Sequence, residues 1–239
     1  MLEQTLKTNI QKIETNIQKA CEKNSRDIND INLICVSKSV DDETTKQVVD
    51  QGIIHLAENR MEKLLEKKEF LKEEAHIKWH FIGNLQRRKV KTVINEIDYF
   101  HALDNVKLAA EIDKRAEKQI KCFVQVNVSG EESKQGVSPD SLSEFIDSLS
   151  VFENIAVVGL MTMAPYEASN EELHRIFSDL NRLKKAIEDK KLAYAPCKEL
   201  SMGMSRDYEI AISEGATFVR VGSGFFDDDE KEVGTDEFI

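Results

Sequence analysis

Apolar residues recur along the chain in two alternating patterns. Short runs rich in Val, Ile and Leu are typical of buried strands, and longer segments with an apolar residue every three or four positions are typical of amphipathic helices. The strand-like runs occupy 31–38, 52–59, 77–83, 97–104, 121–128, 155–161, 197–203 and 216–222. The helix-like segments between them occupy 43–51, 60–72, 87–95, 105–119, 140–150, 171–190 and 206–214.

This alternation predicts the fold. Strands that alternate with helices form a parallel sheet, and eight such repeats predict closure into a single α/β domain, a (β/α)8 barrel of the TIM type. An extra N-terminal helix is expected within residues 1–30, and residues 227–239 are expected to form an acidic polar tail. The apolar stripe of that helix consists of Leu2, Leu6, Ile10, Ile13 and Ile17.

Composition narrows the function classes. A net charge of −11 repels phosphate backbones, so nucleic acid is not an expected partner. No apolar run approaches the ~20 residues that span a bilayer, and residues 1–23 lack the apolar stretch of a signal peptide. The four cysteines are scattered, which predicts reduced thiols, a cytoplasmic protein and no metal site. They are Cys21, Cys35, Cys122 and Cys197.

The first strand-like run ends in a lysine, Lys38. By the two-residue period of a strand, Lys38 shares a face with Ile34 and Val36 and is expected to point into a buried environment. Burial disfavours an ammonium ion, and a neutral amine is the form that condenses with an aldehyde. Lys38 is therefore a candidate Schiff-base lysine. The alternative is a gatekeeper whose ammonium reaches solvent at the strand end.

Two loops with glycines follow the last two predicted strands, Ser201-Met-Gly-Met-Ser205 and Gly222-Ser-Gly224. Glycines let backbone N–H groups approach an anion, and a helix amino end adds free donors. Barrels of this kind frequently hold a phosphate between the loops after strands seven and eight. The two loops together predict a phosphate site.

Seven ordered motifs between about residue 31 and residue 226 resemble the pyridoxal phosphate homeostasis protein family, which is similar to the amino-terminal barrel of alanine racemase. One departure is Arg88, where many relatives carry asparagine. The motifs are Val36-Ser-Lys38, Ala57-Glu-Asn-Arg60, Trp79-His-Phe-Ile-Gly83 with Leu85-Gln86, the run 127–136, Gly159-Leu-Met-Thr-Met163, Leu200-Ser-Met-Gly-Met-Ser205 and Arg220-Val-Gly222.

The resemblance implies a barrel of fold type III that binds pyridoxal 5'-phosphate (PLP). Lys38 would hold PLP as a Schiff base, Asn59 would lie beside its ring, and Arg220 would face the pyridine nitrogen. A guanidinium has only donors, so it favours an unprotonated pyridine and weakens the ring as an electron sink. The residues implied around the phosphate are Ser201, Ser205, Gly222 and Ser223.

Two function classes follow. The favoured one is a non-catalytic, monomeric protein that buffers PLP and delivers it to apo-enzymes. The alternative is an enzyme, either a weak racemase-like PLP enzyme or a Schiff-base aldolase. The chain ends 17 residues after the eighth predicted strand, so we expect no second domain like the one that completes alanine racemase. An aldolase needs a proton-transfer group beside the imine, and Asp104 and Glu58 are the candidates.

Other polar residues receive structural interpretations. His80 and His101 are expected to be core or lining residues, and Tyr166 and Tyr208 to be packing or rim residues rather than a second base. The basic run 87–91 predicts a solvated helix face, with an acidic or phosphorylated partner as the alternative. Lys134 is a second amine near the predicted mouth, where it could accept cofactor in transit.

Overall fold

The computed structural model describes residues 3–131 and 135–227. Eight parallel strands pair in chain order and close into a barrel, because β8 pairs with β1. All eight predicted strands are confirmed, and so is the α/β barrel class. The strands are β1 Asn32–Val36, β2 His55–Glu58, β3 Lys78–Phe81, β4 Tyr99–Leu103, β5 Ile120–Gln125, β6 Ile155–Met161, β7 Glu199–Met204 and β8 Phe218–Val221.

Helices follow the strands as predicted, each within a few residues of its expected ends. No helix in the described part of the chain is long and apolar enough to cross a membrane. The helices are α1 Glu3–Lys23, α2 Asp42–Asp50, α3 Met61–Phe70, α4 Arg87–Val93, α5 Val106–Arg115, α6 Leu142–Ser148, α7 Asn170–Glu188, α8 Tyr208–Ser213 and α9 Ser223–Phe226. Short 3-10 turns lie at Ile28–Asp30, Ile94–Glu96 and Leu149–Val151.

The N-terminal helix α1 packs outside the barrel against α8 and α9. Its predicted apolar stripe is buried from Leu6 to Ile17, and Leu2 lies outside the described residues. The buried Asn9 amide donates to Phe225 O at 3.1 Å and to Asp227 O at 3.0 Å. The helix therefore holds the chain that leaves the last strand. The remaining residues of the predicted acidic tail, 228–239, lie outside the described residues.

Aromatic rings and imidazoles fill much of the barrel interior. Phe123 of β5 and Phe218 of β8 meet edge to face, with ring centroids 5.2 Å apart, and side chains from these non-adjacent strands can meet only inside the barrel. The Tyr99 ring stacks on His80 at 4.5 Å. Branched aliphatic residues are the usual filling of such interiors. Here the interior also contains rings that form hydrogen bonds, and two of them, His55 and Tyr99, are the first residues of their strands.

All eight strands run in one direction, so their carboxyl ends meet at one face, the mouth of the barrel. Two glycines shape the backbone there, Gly83 in the loop after β3 and Gly203 near the end of β7. A Cβ on Gly83 would lie 2.1 Å from the backbone oxygen of Asn59, so only glycine lets the loop after β3 pass the end of β2. Gly203 has a φ of +90°, a conformation that glycine adopts without strain.

Candidate functional site

The chain leaves β1 at Val36, and Lys38 lies two residues further on, in a turn at the mouth. A Cβ on Gly222 would lie 3.6 Å from the Val36 Cβ, which places this turn beside the loop after β8. Ser37 is fully buried, but Lys38 is exposed. The expected burial of Lys38 is therefore wrong, because the strand and its packed layer end before it. The Lys38 side chain reaches solvent at the strand end, and its role as the Schiff-base lysine stays a prediction.

A buried ion pair lies beneath this turn, between the sheet and α3. The Lys67 ammonium donates to Glu58 Oε1 and to the Ser37 backbone oxygen, both at 2.6 Å, and the Ser37 hydroxyl donates to Glu58 Oε1 at 2.7 Å. Lys67 and Glu58 are at most 1% exposed. The pair therefore fixes both the backbone and the side chain of the residue before Lys38. Charged residues at 58 and 67 carry no sequence signal of burial, and sequence reasoning missed the pair.

Glu58 is accordingly placed outside the barrel interior, among the helix-facing side chains. Its partner Lys67 belongs to α3, and its second oxygen, Oε2, is buried without a hydrogen-bond partner in the described part of the chain. Asp104, the other carboxylate considered for proton transfer, follows β4 and is half-buried. The packing of Glu58 under the turn favours a structural role for this carboxylate.

Arg220 lies on the floor of the mouth. Its NH1 donates to the Ser201 hydroxyl at 2.5 Å, and its NH2 donates at 3.0 Å to the backbone oxygen of Thr162, the residue after β6. Burial lowers the pKa of the Arg220 guanidinium to about 10, and the charge of Asp207 opposes this shift. The guanidinium is therefore charged at neutral pH, although it is only 4% exposed.

The Ser201 side chain is turned into the barrel interior. Its hydroxyl is fully buried and lies 2.9 Å from His101 Nδ1 as well as 2.5 Å from Arg220. The resemblance placed Ser201 among the phosphate ligands, and its role there stays a prediction. Its observed partners favour a different role, in which the Ser201 hydroxyl lies beneath Arg220 and connects the guanidinium to His101.

The loops after β7 and β8 meet at Ser205. Its hydroxyl oxygen accepts from the backbone N–H groups of Gly222 and Gly224, each at 3.2 Å. Ser223 begins the four-residue helix α9, which the sequence patterns did not predict because it is only one turn long. Ser205 and the segment 222–224 are partly exposed. The predicted loop 201–205 is wrong in its extent, because β7 continues to Met204 and only Ser205 of that motif lies beyond the strand. The structure does bring the end of β7 and the loop after β8 together.

Three histidines extend the polar interior below Ser201. His101 Nε2 lies 2.9 Å from His80 Nδ1, and His80 Nε2 lies 2.8 Å from His55 Nδ1. His80 and His101 are fully buried, as expected of core residues, and His55 is half-buried at the start of β2. Sequence reasoning missed His55. The available signal was one histidine on each of three consecutive strands, all on faces that the two-residue period directs inward.

The remaining candidates lie around the rim or away from it. Asn59 is exposed directly after β2, at the mouth. Tyr166 is exposed, with the Arg206 guanidinium 4.1 Å from its ring centroid. Tyr208 is buried against α1, where its hydroxyl accepts from Asn16 at 3.2 Å. Lys134 lies outside the described residues.

The basic run belongs to α4. Arg87, Arg88 and Lys91 are exposed, and Lys89 forms an ion pair of 3.0 Å with Glu62. A solvated helix face accounts for this run. Across residues 3–131 and 135–227, no group of three or more His, Cys, Asp or Glu side chains is placed to hold a metal ion. The groups that converge at the mouth are an amine, a guanidinium, and hydroxyl and backbone donors.

Comparison with known families identifies the class of this barrel. The family model for the alanine racemase N-terminal domain matches residues 8–229. An alanine racemase from Clostridium difficile superimposes with a TM-score of 0.74 at 16% identity, over 96% of this chain and 58% of that one. Fold and family model together define a barrel of the alanine racemase N-terminal type.

Closer relatives give the family. A pyridoxal phosphate homeostasis protein from Aquifex aeolicus is 40% identical over 213 residues, which cover 88% of this chain and 92% of the relative. The structure of PipY from Synechococcus elongatus with PLP bound superimposes with a TM-score of 0.77 at 26% identity, over 89% of this chain and 100% of that one. The chain belongs to the pyridoxal phosphate homeostasis protein family, as its motifs predicted.

Proposed function

We propose that this chain is a PLP-binding protein that holds the cofactor on Lys38 and serves PLP homeostasis by buffering or delivering it. One observation carries the proposal. The exposed Lys38 turn, the buried Arg220 and the Ser205-linked loops converge on one mouth, in a family whose relative PipY has been solved with PLP. When bound, PLP supplies an aldehyde that forms a Schiff base with a lysine amine.

The donors at the mouth fit the parts of PLP. The Ser205 oxygen accepts two backbone N–H groups and so keeps its own O–H to donate to a phosphate oxygen. Gly222 and Ser223 would line the same phosphate, with Ser201 beneath them as the further predicted ligand. Arg220 would donate to the pyridine nitrogen, and Asn59 would lie beside the ring. Lys38 would hold the aldehyde carbon.

Arg220 also supports storage over turnover. Its guanidinium remains charged at neutral pH and can only donate hydrogen bonds, so it meets an unprotonated pyridine nitrogen. An unprotonated ring is a poor sink for carbanion electrons. We infer that the protein binds PLP without being an efficient amino-acid enzyme.

The exposure of Lys38 supports delivery. A solvated turn at an open mouth allows an incoming amine or water to reach the attached carbon, whereas a closed pocket would retain it. We propose a cytoplasmic, monomeric, single-domain carrier that passes PLP to apo-enzymes. The net charge of −11 is consistent with a protein that stays dispersed in solution.

Absorption spectroscopy with chemical trapping tests the proposal. The purified protein incubated with PLP should gain a visible absorption band, and borohydride should bleach it and fix the cofactor mass to the peptide that contains Lys38. Lys38→Ala should abolish both effects, and the matched control Lys91→Ala, an exposed lysine on α4, should preserve them. Adding L- and D-alanine to the loaded protein then separates carrier from enzyme, because sustained turnover would contradict a carrier.

A further inference from the structure

The three interior histidines form one continuous chain with Ser201 and Arg220. The contacts run from Arg220 to Ser201 at 2.5 Å, then to His101 at 2.9 Å, His80 at 2.9 Å and His55 at 2.8 Å. Each imidazole uses Nδ1 towards Arg220 and, where a partner follows, Nε2 away from it. The chain therefore joins the floor of the mouth to the half-buried His55 at the opposite, amino-terminal end of the barrel.

The donor in each contact follows from the chemistry of the first one. Arg220 can only donate, so Ser201 Oγ accepts from it. Among the described residues, His101 Nδ1 is the acceptor within reach of the buried Ser201 hydroxyl, and an unmade hydroxyl bond is costly. His101 then carries its proton on Nε2 and donates to His80, which likewise donates to His55. All donors point away from the mouth.

Burial keeps these rings neutral, as this arrangement requires. Desolvation lowers the pKa of His80 and His101 well below the usual value, and the charge of Arg220 lowers that of His101 further. Desolvation also lowers the pKa of His55 to about 4. Tyr99 and Phe123 stack on His80 and His101, with centroids 4.5 and 4.4 Å away, and fix the ring planes.

We propose that His101, His80 and His55 act as a single positioning relay for Arg220. Aligned hydrogen bonds polarise one another, so the chain makes Ser201 a stronger acceptor and holds the guanidinium in place. Because every member is neutral, it does so without cancelling the charge of Arg220, as a carboxylate would. The three rings therefore add no charge beside the guanidinium. The expected effect on PLP binding rests on the function proposed above. The positions of the protons on the three histidines do not depend on that function.

Nuclear magnetic resonance of the ligand-free protein with 15N-labelled histidine tests the chain itself. His55, His80 and His101 should each carry the proton on Nε2, and the exposed His76 and His174 serve as internal references. In Ser201→Ala the direction of the chain is no longer fixed, and a second set of signals with protons on Nδ1 should appear for all three rings together. A change confined to His101, or Nδ1 protons in the unaltered protein, would overturn the proposal.

A second experiment measures the consequence for the cofactor. His80→Phe interrupts the chain at its contact with His101 and leaves Arg220 in place. It should weaken PLP binding roughly tenfold, because the charge-assisted hydrogen bond from Arg220 to Ser201 becomes weaker. Tyr99→Phe, which alters the stacked neighbour and leaves the chain intact, should bind PLP as before. His55→Leu repeats the test at the half-buried end if the larger replacement does not fold. Unchanged binding in the folded variant, with binding still lost in Lys38→Ala, would refute the relay and preserve the carrier.

Discussion

Lys67 Nζ lies 2.6 Å from Glu58 Oε1 in a fully buried contact, and the two side chains together hold Ser37, the residue before Lys38. The Schiff-base candidate itself is exposed, so its position depends on what lies beneath its turn. The buried ion pair holds the backbone of the turn in place, while the amine of Lys38 remains accessible to solvent. The ion pair is therefore part of the site, although it does not line the mouth.

Removing one partner of this pair tests its contribution. Lys67→Met leaves the Glu58 carboxylate buried and unpaired, which we expect to lower the free energy of unfolding by about 3–5 kcal/mol in urea titrations. The trapping of PLP by borohydride should slow in the same variant, because Ser37 loses a donor. The double variant Lys67→Met with Glu58→Gln should recover most of the stability. Lys63→Met, which breaks an exposed ion pair on the same helix, should change stability little.

The Ser205 hydroxyl is expected to distinguish PLP from pyridoxal, which lacks the phosphate. Ser205→Ala removes the acceptor of the Gly222 and Gly224 N–H groups and the hydroxyl donor at the phosphate position. The affinity for PLP should fall roughly tenfold, and that for pyridoxal should not change. Ser213→Ala is the control, because it removes a hydroxyl that donates to the Ile210 backbone oxygen within α8. Equal losses for both ligands would place the phosphate elsewhere.

Gly83 is expected to tolerate no side chain. A Cβ there would lie 2.1 Å from the Asn59 backbone oxygen. Asn59 is the residue that directly follows β2. Gly83→Ala should therefore displace Asn59, lower the midpoint of thermal unfolding and weaken PLP binding together. Asn84→Ala, at the adjacent exposed position, should leave the unfolding midpoint unchanged. A normal midpoint for Gly83→Ala would mean that the loop can move away from β2.

The depressed pKa of His55 has a defined effect on stability. Its value of about 4, against 6.5 for an unperturbed imidazole, means that the unfolded chain binds a proton more readily. Stability from this group is fully present above pH 6.5 and is lost as the pH falls through the window between 6.5 and about 4. The slope of the unfolding free energy against pH reports how many protons the chain takes up when it unfolds. In His55→Leu, that slope across the window should correspond to about one proton fewer. An unaltered slope would indicate that His55 titrates normally in the folded state.

The strand and helix pattern was predictable because each element buries one periodic face. The eight strands follow from apolar runs. At the start of α7, Ser169 and Glu172 have the three-residue spacing of a capping box, and the structure contains that box. Gly203 near the end of β7 and Gly222 and Gly224 after β8 likewise marked the segments that Ser205 joins. These are local signals, and a barrel repeats them in order.

The rest of the site depends on contacts between distant positions. In the sequence, Lys67 and Glu58 look like surface charges, because no neighbouring residue indicates that α3 packs Lys67 against Glu58 of β2. The exposure of Lys38 could not be read from its strand face because the period ends where the strand ends. The histidine chain forms only if His55, His80 and His101 lie at matching levels along the barrel axis. The sequence pattern indicates whether a side chain points inward, but not its level along that axis.

The helix α1 stands outside the eightfold repeat, yet its Asn9 holds the backbone at Phe225 and Asp227, immediately after the Gly222–Gly224 loop. The first and last described segments of the chain are thereby fastened to each other across the outside of the barrel. The segment that follows the last strand is thus restrained by a helix that precedes the first strand. A displacement of α1 would remove both Asn9 hydrogen bonds from the segment after the last strand, so a change on the outside of the barrel would reach a loop at its mouth.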